Sequence, residues 1–334
     1  MAPPRPLVPA AVPTRSGVSP STVALPSGPW PTVLDFLTVR LPKVSREDWA
    51  QRMAQGDVVD AQGLPVPPDA PFRPQTKLYY WRHLPFEHPV PFEAHIVFQD
   101  EWLLVADKPH FLPVTPKGRH LHETLLVRLK RQTGIDTLAP MHRIDLETAG
   151  LVAFTVQPHT RNAYQALFRD KQVHKRYQAI APLAAGWAPG MQLRRQSHMA
   201  DGDHFMTMRE IAPQPDAPGQ VPPPNADTHI QLDEVAHGLG LFTLSPVTGQ
   251  RHQLRVHMNA LGMPLCGDRI YPVLMPTPPA DQAPDHSRPL QLLAQHMAFD
   301  DPITGQARAF TSSRQLSLDA VADWPPAPVS PHQA

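Results

Sequence analysis

The chain has 334 residues, 41% of them hydrophobic, with 30 Lys plus Arg against 30 Asp plus Glu. This length predicts one large core with a smaller appended module. The charge balance excludes binding of nucleic acid through bulk positive charge and leaves that task to a local basic patch. The single cysteine, Cys266, excludes an intrachain disulfide and a cysteine-rich zinc site, as expected of a cytoplasmic chain. The Pro-interrupted N-terminus has no apolar signal region. No run of about 18 apolar residues occurs, so no membrane span is predicted.

Proline is in excess, with 44 residues. Residues 1–31 are Pro, Ala, Ser and Thr with few long apolar side chains, which predicts a disordered tail. Residues 32–88 predict a small module. TVLDFLTVRLP places Val33, Phe36, Leu37 and Leu41 at near-helical spacing behind a Thr32 cap. SREDWAQRMAQG predicts a second helix from a Ser45 cap, with Asp48 three residues on, to a stop at Gly56. DVVDAQG and TKLYYWRHL predict two strands.

Residues 92–318 predict the larger domain. FEAHIVFQDEWLLVADKP reads as two strands around an acidic turn. HETLLVRLKRQTG reads as an amphipathic helix, GLVAFTVQP as a strand and HTRNAYQALFRD as a helix. KRYQAIAP and GLFTLSPVTGQ are further strands. RHQLRVHMNALG fits a helix closed by Gly262, with Arg251 and Arg255 sharing one face and Leu254, Met258 and Leu261 the buried one. Residues 273–288 form a Pro-rich loop, and 319–334 a disordered tail. The elements do not keep a regular βα repeat, so a mixed α/β (α+β) fold is predicted.

Several blocks of the larger domain resemble a known family. His142-Arg143-Ile144-Asp145, followed by Thr148-Ala149-Gly150-Leu151, resembles the active-site segment of the RluA family of pseudouridine synthases. Pro246 through Met258, with Gly249, Gln250, Arg251, His252, Gln253, Leu254 and Arg255, resembles its second segment. Lys175-Arg176-Tyr177 resembles its Lys-x-Tyr strand, and Ala294 through Phe299 its closing segment. ADKP at 106–109 stands where the family often has Asn-Lys-Pro. The blocks occur in the family's order over most of residues 92–310. Gln250 departs from the pattern: the family commonly has Arg or Lys there, and Arg251 presents a charge one residue later. The N-terminal pair of helices and strands resembles an S4-type RNA-binding module, though thin in basic residues.

The resemblance implies a curved, mostly antiparallel sheet with a central cleft and isomerisation of uridine to pseudouridine in structured RNA. It implies Asp145 as the group acting at the sugar C1′, either by covalent attack or by promoting a glycal. Arg255 is its ion-pair partner. Tyr177 packs against the base and is a candidate for proton removal, which would need help from its surroundings because a phenol titrates near 10. Arg143, Lys175 and Arg251 contact RNA, and Arg143 fills the space of a flipped uridine. His142 orients the loop, and Leu151 and Leu254 shape the pocket. The reaction is an isomerisation, so neither cofactor nor metal is expected, and the spacing of the histidines offers no ligand set. Large-subunit ribosomal RNA is the first expected substrate, transfer RNA the second, and the chain is expected to be a monomer. A noncatalytic RNA-binding protein is the alternative class. A plain hydrolase would need a paired second carboxylate, and the sequence shows none.

Overall fold

Buried apolar strands order most of this molecule. The structure is a computed structural model that describes residues 12–211, 222–276, 278–279 and 281–325. It divides into two compact units. One holds the chain to Glu87 with Pro116–His122 and Val127–Asp136; the other holds His88–Thr115, Glu123–Leu126 and the chain from Thr137 on.

The first unit contains β1 (Ser21–Ala24), α1 (Val33–Arg40), α2 (Arg46–Ala54), β2 (Val58–Val59) and β3 (Lys77–Tyr80). Thr32 caps α1 in a full capping box with Asp35, and Ser45 Oγ accepts from the Asp48 N–H at 3.0 Å. The strands pair antiparallel in the order β1-β3-β2. Phe36, Leu37 and Trp49 are fully buried, and pack with Val23, Leu25 and Leu78. The expected tail therefore needs correction: residues 1–11 lie outside the described residues, but Ser21–Ala24 is a sheet strand. Val23 within the strand and Leu25 just after it alternate into the core, which offsets the low hydrophobicity around them.

The second unit contains β4 (His95–Gln99), β5 (Leu103–Lys108), β6 (Ala139–Pro140), β7 (Ala149–Thr155), α4 (Arg161–Arg169), β8 (His174–Pro182) and β9 (Gln192–Ser197). It continues with β10 (Met199–Asp201), β11 (Met208–Glu210), β12 (Ala226–Ala236), β13 (Leu239–Pro246), α5 (Gln253–Ala260), β14 (Leu292–Asp300) and β15 (Ala307–Thr311). Helix α3 (Leu125–Thr133) starts in this unit and runs into the segment assigned to the first. The main sheet runs β4-β5-β7-β14-β8-β13-β12-β9, with β15 beside β14 and β6 beside β7. β14 and β7 pair in parallel; the others are antiparallel. The mixed α+β class and the mostly antiparallel sheet match the expectation.

β5 and β7 are buried at every residue, as strands covered on both faces must be. One side of the sheet packs Leu103, Leu151 and Tyr164, and a second cluster gathers Phe242, Leu254 and Met258. The expected C-terminal tail also needs correction, because Asp319–Val321 is a short 3-10 helix. Val321 is buried and Trp324 packs with Ile180 and Leu318, while 326–334 lie outside the described residues. In the Pro-rich loop, 277 and 280 lie outside them too. No helix among the described residues is long and apolar enough to cross a membrane.

Candidate active site

The segment His142–Thr148 links β6 to β7, and its backbone is pinned from both sides. His142 Nε2 accepts the Ala153 N–H at 3.2 Å, and its ring stacks on Phe168 with centroids 4.4 Å apart. Burial pushes this imidazole down to about 3, so it is neutral with its proton on Nδ1. From the end of β5, Lys108 Nζ donates to the Leu146 carbonyl at 3.1 Å, as well as to Leu112 at 2.7 Å and Pro109 at 3.0 Å. His110 Nδ1 donates to the Glu147 carbonyl at 2.7 Å, its ring pushed down to about 4 by burial. Lys108 is fully buried, and desolvation lowers its ammonium to about 7 despite the nearby charge of Asp145. Gly150 closes the segment at φ +107°, where a Cβ would stand 2.3 Å from the Ala294 carbonyl oxygen. Only glycine lets β14 come this close to β7.

Arg255, on α5, reaches this loop. Its Nη1 donates to Asp145 Oδ2 at 3.2 Å and its Nη2 to Glu147 Oε2 at 3.1 Å. Nε and Nη2 also fork onto Asp268 at 2.8 and 2.6 Å. Burial disfavours the guanidinium's charge, but Asp268, Asp145 and Glu147 outweigh it and push the group above its ordinary value. Burial pushes Glu147 up, against the pull of Arg255. The expected Asp145–Arg255 pair is thus one arm of a larger cluster. The sequence reading saw no second carboxylate; the structure places Glu147 beside Asp145 on the same guanidinium. Glu147 lies two residues from Asp145, but the partner that brings the two carboxylates together is over a hundred residues away in sequence.

Helix α5 starts later than predicted. His252 caps it at φ +57°, a left-handed conformation that ends helical continuity on its N-terminal side. Arg251 is therefore outside the helix and does not share a face with Arg255. Its Nη2 instead binds Asp201 at 2.6 Å and the Thr207 carbonyl at 3.1 Å, tying it to the β10–β11 hairpin. Gln250 Nε2 donates to the Asn225 carbonyl at 3.2 Å. Gln253 latches the turn: Oε1 accepts from Thr248 Oγ1 and the Gln250 N–H, and Nε2 donates to the Asp227 carbonyl and Thr228 Oγ1. His252 Nε2 lies 3.9 Å from Asp145 Oδ1, while its Nδ1 meets Tyr271 Oη at 3.0 Å.

Tyr177 and Lys175 alternate onto one face of β8, and both are partly buried. Burial and then the charge of Asp145 push the Tyr177 phenol above its ordinary value, the direction opposite to the one a base requires. Burial lowers Lys175, whose Nζ lies 3.9 Å from where a Cβ on Gly249 would stand. Arg143 is exposed. Leu151 lies wholly within the β7 core, and Leu254 packs with Phe242 and Met258. Among the described residues, no three His, Cys, Asp or Glu side chains are grouped to hold a metal.

The family model described as RNA pseudouridylate synthase matches residues 102–260, which span the Asp145 loop and α5. An uncharacterized RNA pseudouridine synthase of Synechocystis is 30% identical over 254 residues, covering 72% of this chain and 79% of that protein. The chain belongs to the RNA pseudouridine synthases. A dual-specificity RNA pseudouridine synthase, RluA of Haemophilus influenzae, is 28% identical and covers 68% of this synthase and 96% of its own length. Ribosomal large subunit pseudouridine synthase D of Zymomonas mobilis is 28% identical, over 80% of this chain and 84% of that one. The solved structure of human RNA pseudouridylate synthase domain containing 1 shares the fold at TM-score 0.52 and 19% identity, over 72% of this synthase and 92% of that chain. The matched residues of the family model begin at 102 and leave the N-terminal helices and strands α1, α2 and β1 to β3 outside. No motif or spacing assigned a role to Lys108, His110, Glu147, Gln253 or Asp268, although Lys108 stands in the ADKP block, Glu147 within the first block, and Gln253 and Asp268 in or beside the second.

Proposed function

We propose that this synthase isomerises a uridine of large-subunit ribosomal RNA with Asp145 as its nucleophile. The observation that carries the reading is the Asp145 carboxylate, 29% exposed, paired at 3.2 Å with a guanidinium that is 2% exposed. A buried fork aims the acid while leaving one oxygen for the substrate. The carboxylate attacks C1′ as the N1–C1′ bond breaks, and the uracil leaves as an anion. The ring turns, C5 bonds to C1′ as the ester breaks, the C5 proton is lost and N1 takes one up. Atoms balance without an oxidant or a metal.

Tyr177 supports the base through its ring; its raised phenol argues against a standing phenolate. His142 holds the loop through its bond to Ala153. Arg143 and Lys175 make no hydrogen bond or ion pair among the described residues, which suits them to phosphate. Arg251 acts through the β10–β11 hairpin it binds, and Leu151 and Leu254 act as walls from within the core. The protein works as a cytoplasmic monomer, with the first unit as an S4-like aid to RNA binding. The ribosomal substrate is supported by the name of the Zymomonas relative, which spans 284 matched residues. The Haemophilus relative is named for dual specificity, and transfer RNA stands as the second reading.

The test is pseudouridine mapping of ribosomal and transfer RNA from cells lacking the gene, complemented with wild type or Asp145→Asn. Loss of one or a few ribosomal sites, restored only by wild type, is expected. Restoration by Asp145→Asn would overturn the assignment of the nucleophile. Loss confined to transfer RNA would move the substrate, and release of free uracil in vitro would mark a hydrolase.

A further inference from the structure

One guanidinium serves three carboxylates. Arg255 contacts Asp145 at 3.2 Å, Glu147 at 3.1 Å and Asp268 at 2.6 Å. Asp268 is committed to the fold: it takes the Nε side of the fork, and its Oδ1 also accepts the N–H groups of Ile270 and Tyr271. What remains of the cation is divided between Asp145 on Nη1 and Glu147 on Nη2. Two carboxylates thus share one partly neutralised cation, and the charge of one is felt by the other.

Their surroundings separate them. The Glu147 side chain is 14% exposed and Asp145 29%, so water supports the charge of Asp145 better. We propose that Glu147 is a positioning residue that shares Arg255 with Asp145 and, by holding or releasing one proton, sets how firmly the guanidinium holds the nucleophile. This rests on reading Asp145 as that nucleophile.

The charged and titratable groups around Glu147 come from every neighbouring element. Arg255 is on α5, Asp268 and Arg269 follow it, and Asp145 is on its own loop. Lys108 acts from the end of β5, and His110 donates to the Glu147 backbone carbonyl. His252 faces Asp145 from the start of α5. Burial is the largest influence on the Glu147 carboxyl and raises it; Asp268 and Asp145 add to this, and Arg255 and Arg269 oppose. While Glu147 keeps its proton, Nη1 and its charge are left to Asp145. Once Glu147 ionises it competes for the same cation and repels Asp145, the more exposed of the two. Turnover therefore falls on the alkaline side of the Glu147 ionisation.

Two measurements test this. In the first, the side-chain carboxyls of ¹³C-glutamate-labelled wild type are titrated by NMR, with the Glu147 signal assigned by its absence in Glu147→Gln. This readout needs no RNA and stands whether or not Asp145 is the nucleophile. One carboxyl titrating above the usual glutamate range is expected; a Glu147 signal in the ordinary range overturns the proposal. In the second, single-turnover pseudouridine formation is followed against pH. Wild type is expected to decline through the pH at which the NMR signal moves. Glu147→Gln, fixed in the uncharged form, is expected to lack that decline and so to turn over severalfold faster than wild type on its alkaline side, with KM little changed. A Glu147→Gln profile of wild-type shape, or a folded variant inactive at every pH, overturns it. Activity surviving in Asp145→Asn would instead overturn the nucleophile assignment.

Discussion

Arg255 is buried and holds three acids, so replacing it acts on both stability and chemistry. Lysine keeps the charge but is a point donor that cannot fork onto Asp268 while reaching Asp145 and Glu147. Arg255→Lys should cost about 3 kcal/mol of stability, as buried pairs do when one partner is lost. Its single-turnover rate should drop about 100-fold, the scale of losing one oriented donor. Urea denaturation and rapid-quench assays measure the two effects; a variant that loses stability at wild-type rate would show that Arg255 only holds the fold. Lys108→Met should release the carbonyls of Pro109, Leu112 and Leu146. Each buried acceptor left unpaired costs on the order of 1–3 kcal/mol, so the urea midpoint should fall clearly, and an unchanged midpoint would refute the cage. At this scale the sequence was half legible. The motifs named Asp145 and Arg255, which the structure joins although they are 110 residues apart. Glu147 and Asp268 were invisible as partners because their meeting point is a third residue. No local spacing records that.

Secondary elements were legible wherever their own pattern sufficed. Thr32 and Ser45 cap α1 and α2, and the largely apolar, fully buried stretch of β7 is a central strand. Two boundaries were not legible. β1 has too few apolar residues to stand alone and exists because β3 offers it an edge, with Val23 and Leu25 completing a core. The start of α5 was set by the left-handed His252 and by the Gln253 latch to β12, neither of which the 3.6-residue period can report. The junction of β7 with β14 is the most constrained of these places. Gly150→Ala would set a Cβ 2.3 Å from a backbone oxygen at a positive φ, with no flexible side chain to yield. The expected destabilisation is about 3 kcal/mol, combining strain with overpacking. Because Gly150 ends the Asp145 loop, kcat should fall along with stability. Unchanged urea denaturation of the variant would mean that the two strands are free to separate here.

For the whole molecule, a balance of 30 acidic and 30 basic residues makes the 18 histidines the main source of charge change in mild acid. Three of them are held neutral by burial: His142 at about 3, His110 at about 4 and His257 at about 4, each from an ordinary 6.5. In the unfolded chain they take up protons near 6.5, and in the folded chain they do not. The unfolded state therefore binds more protons between about 6.5 and 4, and stability falls as pH drops through that window. Glu147, raised by burial, has the opposite sign, but it is one group against three. Asp227 and Asp301 add their own losses only lower down, because Arg194 holds the first below the usual range and the N–H groups of Ile303 and Thr304 hold the second. The prediction is a Tm lower by about 5 °C or more at pH 4.5 than at pH 7, on the scale of a few kcal/mol for a domain of this size. His257 tests the cause away from the Asp145 loop: its ring bonds Thr228 Oγ1 at 2.9 Å and Ser197 Oγ at 3.0 Å. His257→Gln keeps a polar group there and removes the titration. It should lower Tm at pH 7 yet lose less between pH 7 and 4.5 than wild type does. An equal loss in both proteins would place the acid sensitivity elsewhere than in these buried imidazoles.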